Sequence, residues 1–218
     1  MPRLQLSQQR VTETKKQNIG KIILFCEGIT EKHYFDYFAE IINKDENKYN
    51  NVVITTKAAN GNAQTVLNHS IDFLSQEENN RLFANYGKYL VFDCDAPYDI
   101  ASVITQATAN SNGYHLLVSN HFFETWLLMH FEEIELKLTK RQTYARLSGY
   151  LNAKYRKGQK GRTREIISNG DIEKAIENAY KLEKRYKKLG KTIYDSIDDM
   201  NPYTNVHTLI EQLMLLIS

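Results

Sequence analysis

Three acidic residues follow two apolar segments of the chain. Glu27 comes directly after the apolar run of residues 22–26, and Asp93 and Asp95 follow the run of residues 89–92. Carboxylates held close together repel one another, and a hard divalent cation relieves that repulsion. Such an ion polarises a phosphodiester and generates hydroxide from water. These residues therefore predict a Mg²⁺ or Mn²⁺ site, although Asp is also a common turn or cap residue after a strand.

Glu124 is a further acidic residue, and its neighbours in the sequence are aromatic or aliphatic. A carboxylate in such surroundings must be exposed at the start of a helix, hydrogen-bonded, or bound to a cation. Its negative charge in a first helical turn also stabilises the helix dipole, which requires no function. Both interpretations of Glu124 stay open at this point.

The segment Lys154–Arg164 is the most basic stretch of the chain and is predicted to be a loop. It carries two glycines that allow close approach of a backbone, and contacts from such a loop to phosphate would be largely indifferent to nucleotide sequence. The alternative is a solvated loop without a partner. Lys157 is the predicted contact to the scissile phosphate. The predicted nucleic-acid-binding residues are Lys154, Arg156, Lys157, Lys160, Arg162 and Arg164.

Charge is distributed unevenly along the 218 residues. The formal net charge is only +2, yet residues 137–191 contain seventeen Lys or Arg against five Asp or Glu. The rest of the chain must then be acidic. A basic surface beside an acidic one suggests an anionic partner, most commonly nucleic acid.

The predicted elements place the acids at one edge of a sheet. Four segments are typical of strands, Ile22–Cys26, Val52–Thr56, Tyr89–Phe92 and Tyr114–Val118, and helical segments separate them. This alternation predicts an α/β fold with a mainly parallel four-stranded sheet, in which the carboxyl ends of the strands share one edge. A helix capped by Thr30 is expected after Glu27, and helices are expected to fill the chain beyond Lys140, the last from Tyr203.

Several motifs together resemble the RloB family of toprim-related proteins, which includes AbiLii-like abortive-infection proteins. They are CEGITEKHYF, VFDCDAP, SNHFFETWLLMHF and NPYTNVHTLIEQL. The resemblance implies a toprim-like fold, a Mg²⁺-dependent nuclease acting in phage defence, and an ATPase or restriction-modification partner. It makes Glu27 a general acid/base or metal ligand, makes Asp93 and Asp95 metal ligands, and matches Glu31 and Glu124 to further family positions. His121 stands where the family usually has proline.

The predicted organisation is an N-terminal arm at residues 1–19, a toprim-like domain at residues 20–135, and a basic helical extension at residues 136–218 packed on it. A homodimer is also possible. The chain shows no secretory signal and no membrane span, and its two cysteines lack metal or redox spacing. These features predict a cytoplasmic protein.

Two functions compete with a nuclease. The first is a binding module, in which a toprim-like scaffold holds nucleic acid or a protein partner without chemistry. The second is another phosphoryl-transfer enzyme such as a primase-like polymerase, against which the basic loop argues. The chain has no GxxxxGK[ST] loop, so an ATPase activity would have to come from a partner.

Overall fold

The first half of the chain alternates strands with helices, because short β-branched and aromatic runs are separated by segments of helical periodicity. A computed structural model describes residues 19–45, 48–49, 51–95 and 100–217. The predicted N-terminal arm therefore lies almost wholly outside the described residues. The four predicted strands are present as β1 (Lys21–Cys26), β2 (Val53–Ala58), β3 (Gly87–Asp93) and β4 (Tyr114–Asn120).

The sheet has the strand order β2-β1-β3-β4-β5. Strands β1 to β4 pair with one another in parallel, as the alternation of strands and helices predicted. The prediction of four strands missed β5 (Tyr203–Thr204), which pairs antiparallel with the end of β4. Two residues are too few to show a strand period, and the helix expected from Tyr203 begins only at His207.

Helices cover both faces of this sheet. In the first half of the chain they are α1 (Ile29–Ile42), α2 (Ala63–Ser75), α3 (Glu77–Leu82), α4 (Ile100–Ala109) and α5 (Glu124–Met129). In the second half they are α6 (Lys140–Tyr150), α7 (Lys160–Asn169), α8 (Ile172–Lys188) and α9 (His207–Ile217). Within the described ranges, no helix is both long enough and apolar enough to cross a membrane.

Strand β1 lies at the centre of two hydrophobic clusters. Ile22 and Leu24 pack with side chains of α1, α5, α8 and α9 on one face, and Ile23 and Phe25 pack with α2 and α4 on the other. Full burial of each such side chain contributes about 1.5–3 kcal/mol to folding. The strand that precedes Glu27 is therefore held rigidly from both sides.

The second half of the predicted basic loop is helical. The segment Lys154–Arg164 was predicted as one loop, but α7 begins at Lys160. Thr163, Ile166 and Ile167 are buried on one side of that helix, with Ile166 and Ile167 in the same cluster as β1. Most of this apolar stripe lies beyond Arg164, so the composition of the segment itself did not indicate a helix.

Candidate active site

Glu27 and Asp93 meet at the carboxyl edge of the sheet. The backbone N–H of Glu27 donates to the carbonyl of Val91 at 2.8 Å. The pairing with β3 therefore continues for one residue beyond the end of β1. The Glu27 side chain then turns toward β3, and the backbone N–H of Asp93 donates to Glu27 Oε2 at 2.9 Å. Both side chains are buried. Adjacent parallel strands thus bring together two acids that are 66 residues apart.

Glu31 enters the same site from the first turn of α1. The residue before that helix is Gly28, and a Cβ there would lie 2.9 Å from Glu31 Oε2, so the carboxylate lies against the backbone at this position. Thr30 was predicted to cap α1, which is wrong, because Gly28 occupies the cap position. The Thr30 hydroxyl instead accepts a 2.7 Å hydrogen bond from the backbone N–H of Gly158, which ties the basic loop to α1.

Lys157 extends from that loop into the acidic site. Its Nζ lies 3.5 Å from Glu31 Oε1 and 3.5 Å from Asp93 Oδ2, which are ion pairs too long for good hydrogen bonds. The side chain is 34% exposed, whereas Glu31 is 0% exposed. The neighbouring Gly158 has φ +81°, and a Cβ there would lie 2.8 Å from a methyl carbon of Ile29. Glycine is therefore required where the loop delivers the lysine.

Glu124 is the fourth carboxylate of the site and the first residue of α5. It is fully buried, and its Oε1 accepts hydrogen bonds from Tyr155 Oη at 3.1 Å and Tyr144 Oη at 3.2 Å. The sequence did not point to Tyr144, because a tyrosine on a helix carries no sign of a partner twenty residues away. These hydroxyls explain how an acid can lie among aromatic side chains.

The acidic site is the name used below for the four carboxylates of Glu27, Glu31, Asp93 and Glu124. Its negative charge is more than the single ammonium of Lys157 can neutralise. Four buried oxygens have no hydrogen-bond partner among the described residues: Glu31 Oε1 and Oε2, Asp93 Oδ1 and Glu124 Oε2. Unpartnered buried oxygens of this kind are costly unless a cation binds them.

The pKa values of these groups reflect the crowding of charge. Burial is the main cause that raises the pKa of Glu27 to about 7; the hydrogen bond from Asp93 opposes this rise, and repulsion from Glu31 adds to it. Burial likewise raises the pKa of Asp93 well above its ordinary value, with Glu31 as the next cause, and burial raises the pKa of Glu31. Partial burial would lower the pKa of Lys157, but the surrounding carboxylates raise it.

The donors of the acidic site fit a hard divalent cation. Carboxylate oxygens suit Mg²⁺ or Mn²⁺, and Glu31 and Asp93, which both pair with Lys157, each have at least one buried oxygen without a hydrogen-bond partner. In the part of the chain that the structure describes, no three His, Cys, Asp or Glu side chains are already arranged as a ligand set. Side chains of the acidic site would have to move to coordinate an ion together.

Asp95, the other predicted metal ligand, lies to one side of the acidic site. It is partly exposed and lines a neighbouring cavity with Lys137 and Lys140. Its charge nevertheless raises the pKa of Glu27. Among the ion pairs of the described residues, Lys157 pairs with Glu31 and Asp93 but not with Asp95.

The residues that form the acidic site lie within a region that matches a known family. A family model described as RloB-like protein matches residues 22–213. The chain belongs to the RloB-like family. This confirms the resemblance seen in the motifs, and the matched region includes every residue of the acidic site together with Lys157. Comparison with curated proteins gave no match, and comparison with solved structures gave none.

In this RloB-like protein, several of the predicted nucleic-acid-binding residues are already engaged within the chain. Lys160 and Arg164 both form ion pairs with Glu40 of α1, and Arg162 pairs with Glu165 on its own helix. Lys154 and Arg156 are exposed, with no ion pair among the described residues. The six predicted residues therefore do not present one continuous free cationic surface.

The raised pKa of Glu27 predicts a specific pH dependence of stability. In the unfolded chain Glu27 titrates near 4.5 and in the folded chain near 7. The folded state therefore binds more protons between these values, and stability falls as the pH rises through this range. The expected loss is about 3 kcal/mol, since one pKa unit corresponds to about 1.4 kcal/mol.

The comparison of wild type with Glu27→Gln isolates this effect, because Gln does not titrate. Urea unfolding in EDTA, measured from pH 4 to pH 8, should show the variant gaining stability relative to wild type as the pH rises. Glu78→Gln, at an exposed position of α3, serves as the control and should show no such gain. A constant difference between wild type and Glu27→Gln across this pH range would contradict the raised pKa.

Proposed function

We propose that this RloB-like protein is a Mg²⁺-dependent nuclease with a toprim-like fold that hydrolyses phosphodiester bonds of DNA or RNA. The observation that carries the proposal is a cluster of four buried carboxylates, two of which pair with the Lys157 ammonium, with buried oxygens left without a hydrogen-bond partner. The family membership and the motifs support a role as an effector of anti-phage defence by abortive infection. They also support an ATPase or restriction-modification system as the partner.

Glu31 and Asp93 are the proposed principal ligands of the ion, with Glu27 at its edge. When bound, Mg²⁺ polarises a phosphate and lowers the pKa of a coordinated water. Glu27 is 8% exposed, compared with 0% for Glu31 and 2% for Asp93, so it is the ligand that solvent reaches best. With a pKa of about 7, its carboxylate accepts a proton from the attacking water near neutral pH.

Lys157 and Glu124 support this chemistry in different ways. The Lys157 ammonium reaches the site from the surface, so it can bind a non-bridging phosphate oxygen in place of its present carboxylate partners. Glu124 is fixed by two tyrosine hydroxyls, and its free Oε2 adds negative charge that favours a cation in the site. Asp95 acts on the substrate side, beside the neighbouring cavity.

A cleavage assay with the purified protein tests the proposal. Labelled single- and double-stranded DNA and RNA are incubated with Mg²⁺, Mn²⁺ or EDTA, and the products are separated by length. Cleavage is expected with either metal ion and is expected to be lost in EDTA. A parallel measurement of melting temperature should show stabilisation by both ions, because an ion that binds only the folded state stabilises it. Cleavage that persists in EDTA would refute the metal-dependent mechanism.

A second candidate function is a non-catalytic subunit that binds nucleic acid or a protein partner. The ion pairs of Lys157 with Glu31 and Asp93 favour it, because they neutralise part of the acidic charge without a metal. Metal titration separates the two candidates. If Mg²⁺ and Mn²⁺ leave the melting temperature unchanged, and Asp93→Asn preserves protection against phage, the binding function is correct.

A further inference from the structure

A separate cavity of about 240 Å³ opens beside the acidic site. Its lining includes Asp95, His121, Phe122, Lys137 and Lys140. Sites for drug-sized ligands usually enclose about 300–1,000 Å³, so this cavity suits one smaller unit, of the size of a single nucleotide.

The cavity is connected to the acidic site through three chain segments. Asp95 lies two residues beyond Asp93, and His121 lies three residues before Glu124. The third segment is α6, which begins at Lys140. The Nζ of Lys140 lies 5.9 Å from the ring centre of Tyr144, whose hydroxyl donates to Glu124. Residues of the cavity and of the acidic site are thus neighbours along all three segments.

The two lysines of the cavity differ from most cations of the predicted basic loop. Lys137 and Lys140 are exposed, and neither forms an ion pair with a described residue. Lys160 and Arg164, by contrast, are both paired with Glu40. The two free cations that border the cavity therefore lie between the end of β4 and the start of α6. The predicted nucleic-acid-binding residues did not include them.

The other residues of the lining have different chemistry. Asp95 repels phosphate, so a bound phosphate lies on the side of Lys137 and Lys140. The ring of His121 is partly exposed and can contact the sugar or base, whereas the ring of Phe122, whose centre is 5.6 Å away, is buried behind the surface. Aromatic contacts of this kind tolerate any base because every base has a π face.

We propose that this cavity binds the nucleotide adjacent to the reacting phosphate, with Lys137 and Lys140 contacting its phosphodiester group. The placement of that nucleotide relative to the reaction rests on the proposed nuclease function of the acidic site. The phosphodiester chemistry is common to DNA and RNA, so the experiment includes both.

The test measures how tightly the protein binds fluorescein-labelled single-stranded 12-mers of DNA and RNA. Binding is followed by fluorescence anisotropy in the presence of Ca²⁺, at a series of salt concentrations. The double variant Lys137→Gln, Lys140→Gln is compared with Lys184→Gln, Lys188→Gln, which removes two exposed charges from α8. The first pair is expected to weaken binding on the order of tenfold. It should also reduce the slope of log affinity against log salt by about 1.4, since each phosphate contact contributes about 0.7 on a single strand.

Several outcomes would overturn the proposal. They are equal effects of the two double variants, an unchanged salt slope in the Lys137 and Lys140 variant, or no binding of either oligonucleotide by wild type. Failure of the nuclease proposal is distinguishable. If Glu27→Gln leaves cleavage intact while the lysine pair still lowers affinity and slope, the nucleotide site stands without that mechanism. If cleavage requires Glu27 but the lysine pair changes neither quantity, only the nucleotide site is wrong.

Discussion

Replacement of Glu27 by Gln is expected to reduce metal-dependent cleavage by about 10²–10⁴-fold, the range for loss of a general acid or base. Gln cannot accept the proton of an attacking water, and it removes one anionic oxygen donor from the ion. The fold should survive, because a Gln side-chain carbonyl can still accept the hydrogen bond that the Asp93 backbone N–H donates to Glu27 Oε2.

Single-turnover cleavage of the best substrate in Mg²⁺ measures this loss, with circular dichroism and urea unfolding as checks on the fold. The matched control is Glu78→Gln, which makes the same chemical change at an exposed position and should retain the wild-type rate. Because the charge of Glu27 is costly to bury at high pH, Glu27→Gln should be less active and yet more stable than wild type at pH 8. A stable variant with full activity would exclude Glu27 from the reaction.

The positions of Glu27 and Asp93 could be predicted because they depend on local patterns. Each residue ends or follows a short apolar run, and parallel strands joined by helical crossovers place their carboxyl ends at one edge. The contact between the Asp93 backbone and Glu27 follows from that topology. Strand periodicity and connection length were sufficient information for this part of the site.

The pairing of Lys157 with Glu31 could not be predicted in the same way. The basic composition of the loop led to the prediction that Lys157 contacts phosphate, but no local pattern links it to an acid 126 residues earlier. The link depends on the Thr30 hydroxyl, which accepts a hydrogen bond from Gly158 instead of capping a helix. A threonine near the start of a helix is compatible with either role, and only tertiary packing decides between them.

Net charge was similarly insufficient to locate the free cations. The excess of Lys and Arg between residues 137 and 191 is real, but a count of charges does not show which are neutralised within the fold. Glu40, which pairs with both Lys160 and Arg164, lies more than one hundred residues away in sequence. Lys137 and Lys140 lie at the start of this basic region, and the count does not distinguish them from the paired cations.

Replacement of Lys157 by Met is expected to lower the free energy of unfolding in EDTA by about 2 kcal/mol at neutral pH. Removal of one partner from a fully buried ion pair costs about 3–5 kcal/mol, because the remaining charge is left uncompensated. The cost should be smaller here, since the Lys157 side chain is 34% exposed and the carboxylates can take up protons. Met retains an unbranched stem, so most of the apolar packing of the side chain is preserved.

Lys157→Met should lower stability in EDTA but should increase the stabilisation that Mg²⁺ provides. Without the ammonium, Glu31 and Asp93 offer a divalent ion more negative charge and a free position between them, so saturating Mg²⁺ should raise the melting temperature of Lys157→Met more than that of wild type. Lys154→Met, an exposed position in the same loop, is the control and should keep the wild-type response. If Lys157→Met matches wild type both in EDTA and in Mg²⁺, the ammonium does not compensate the acids, and the competition between lysine and metal ion that underlies the site does not exist.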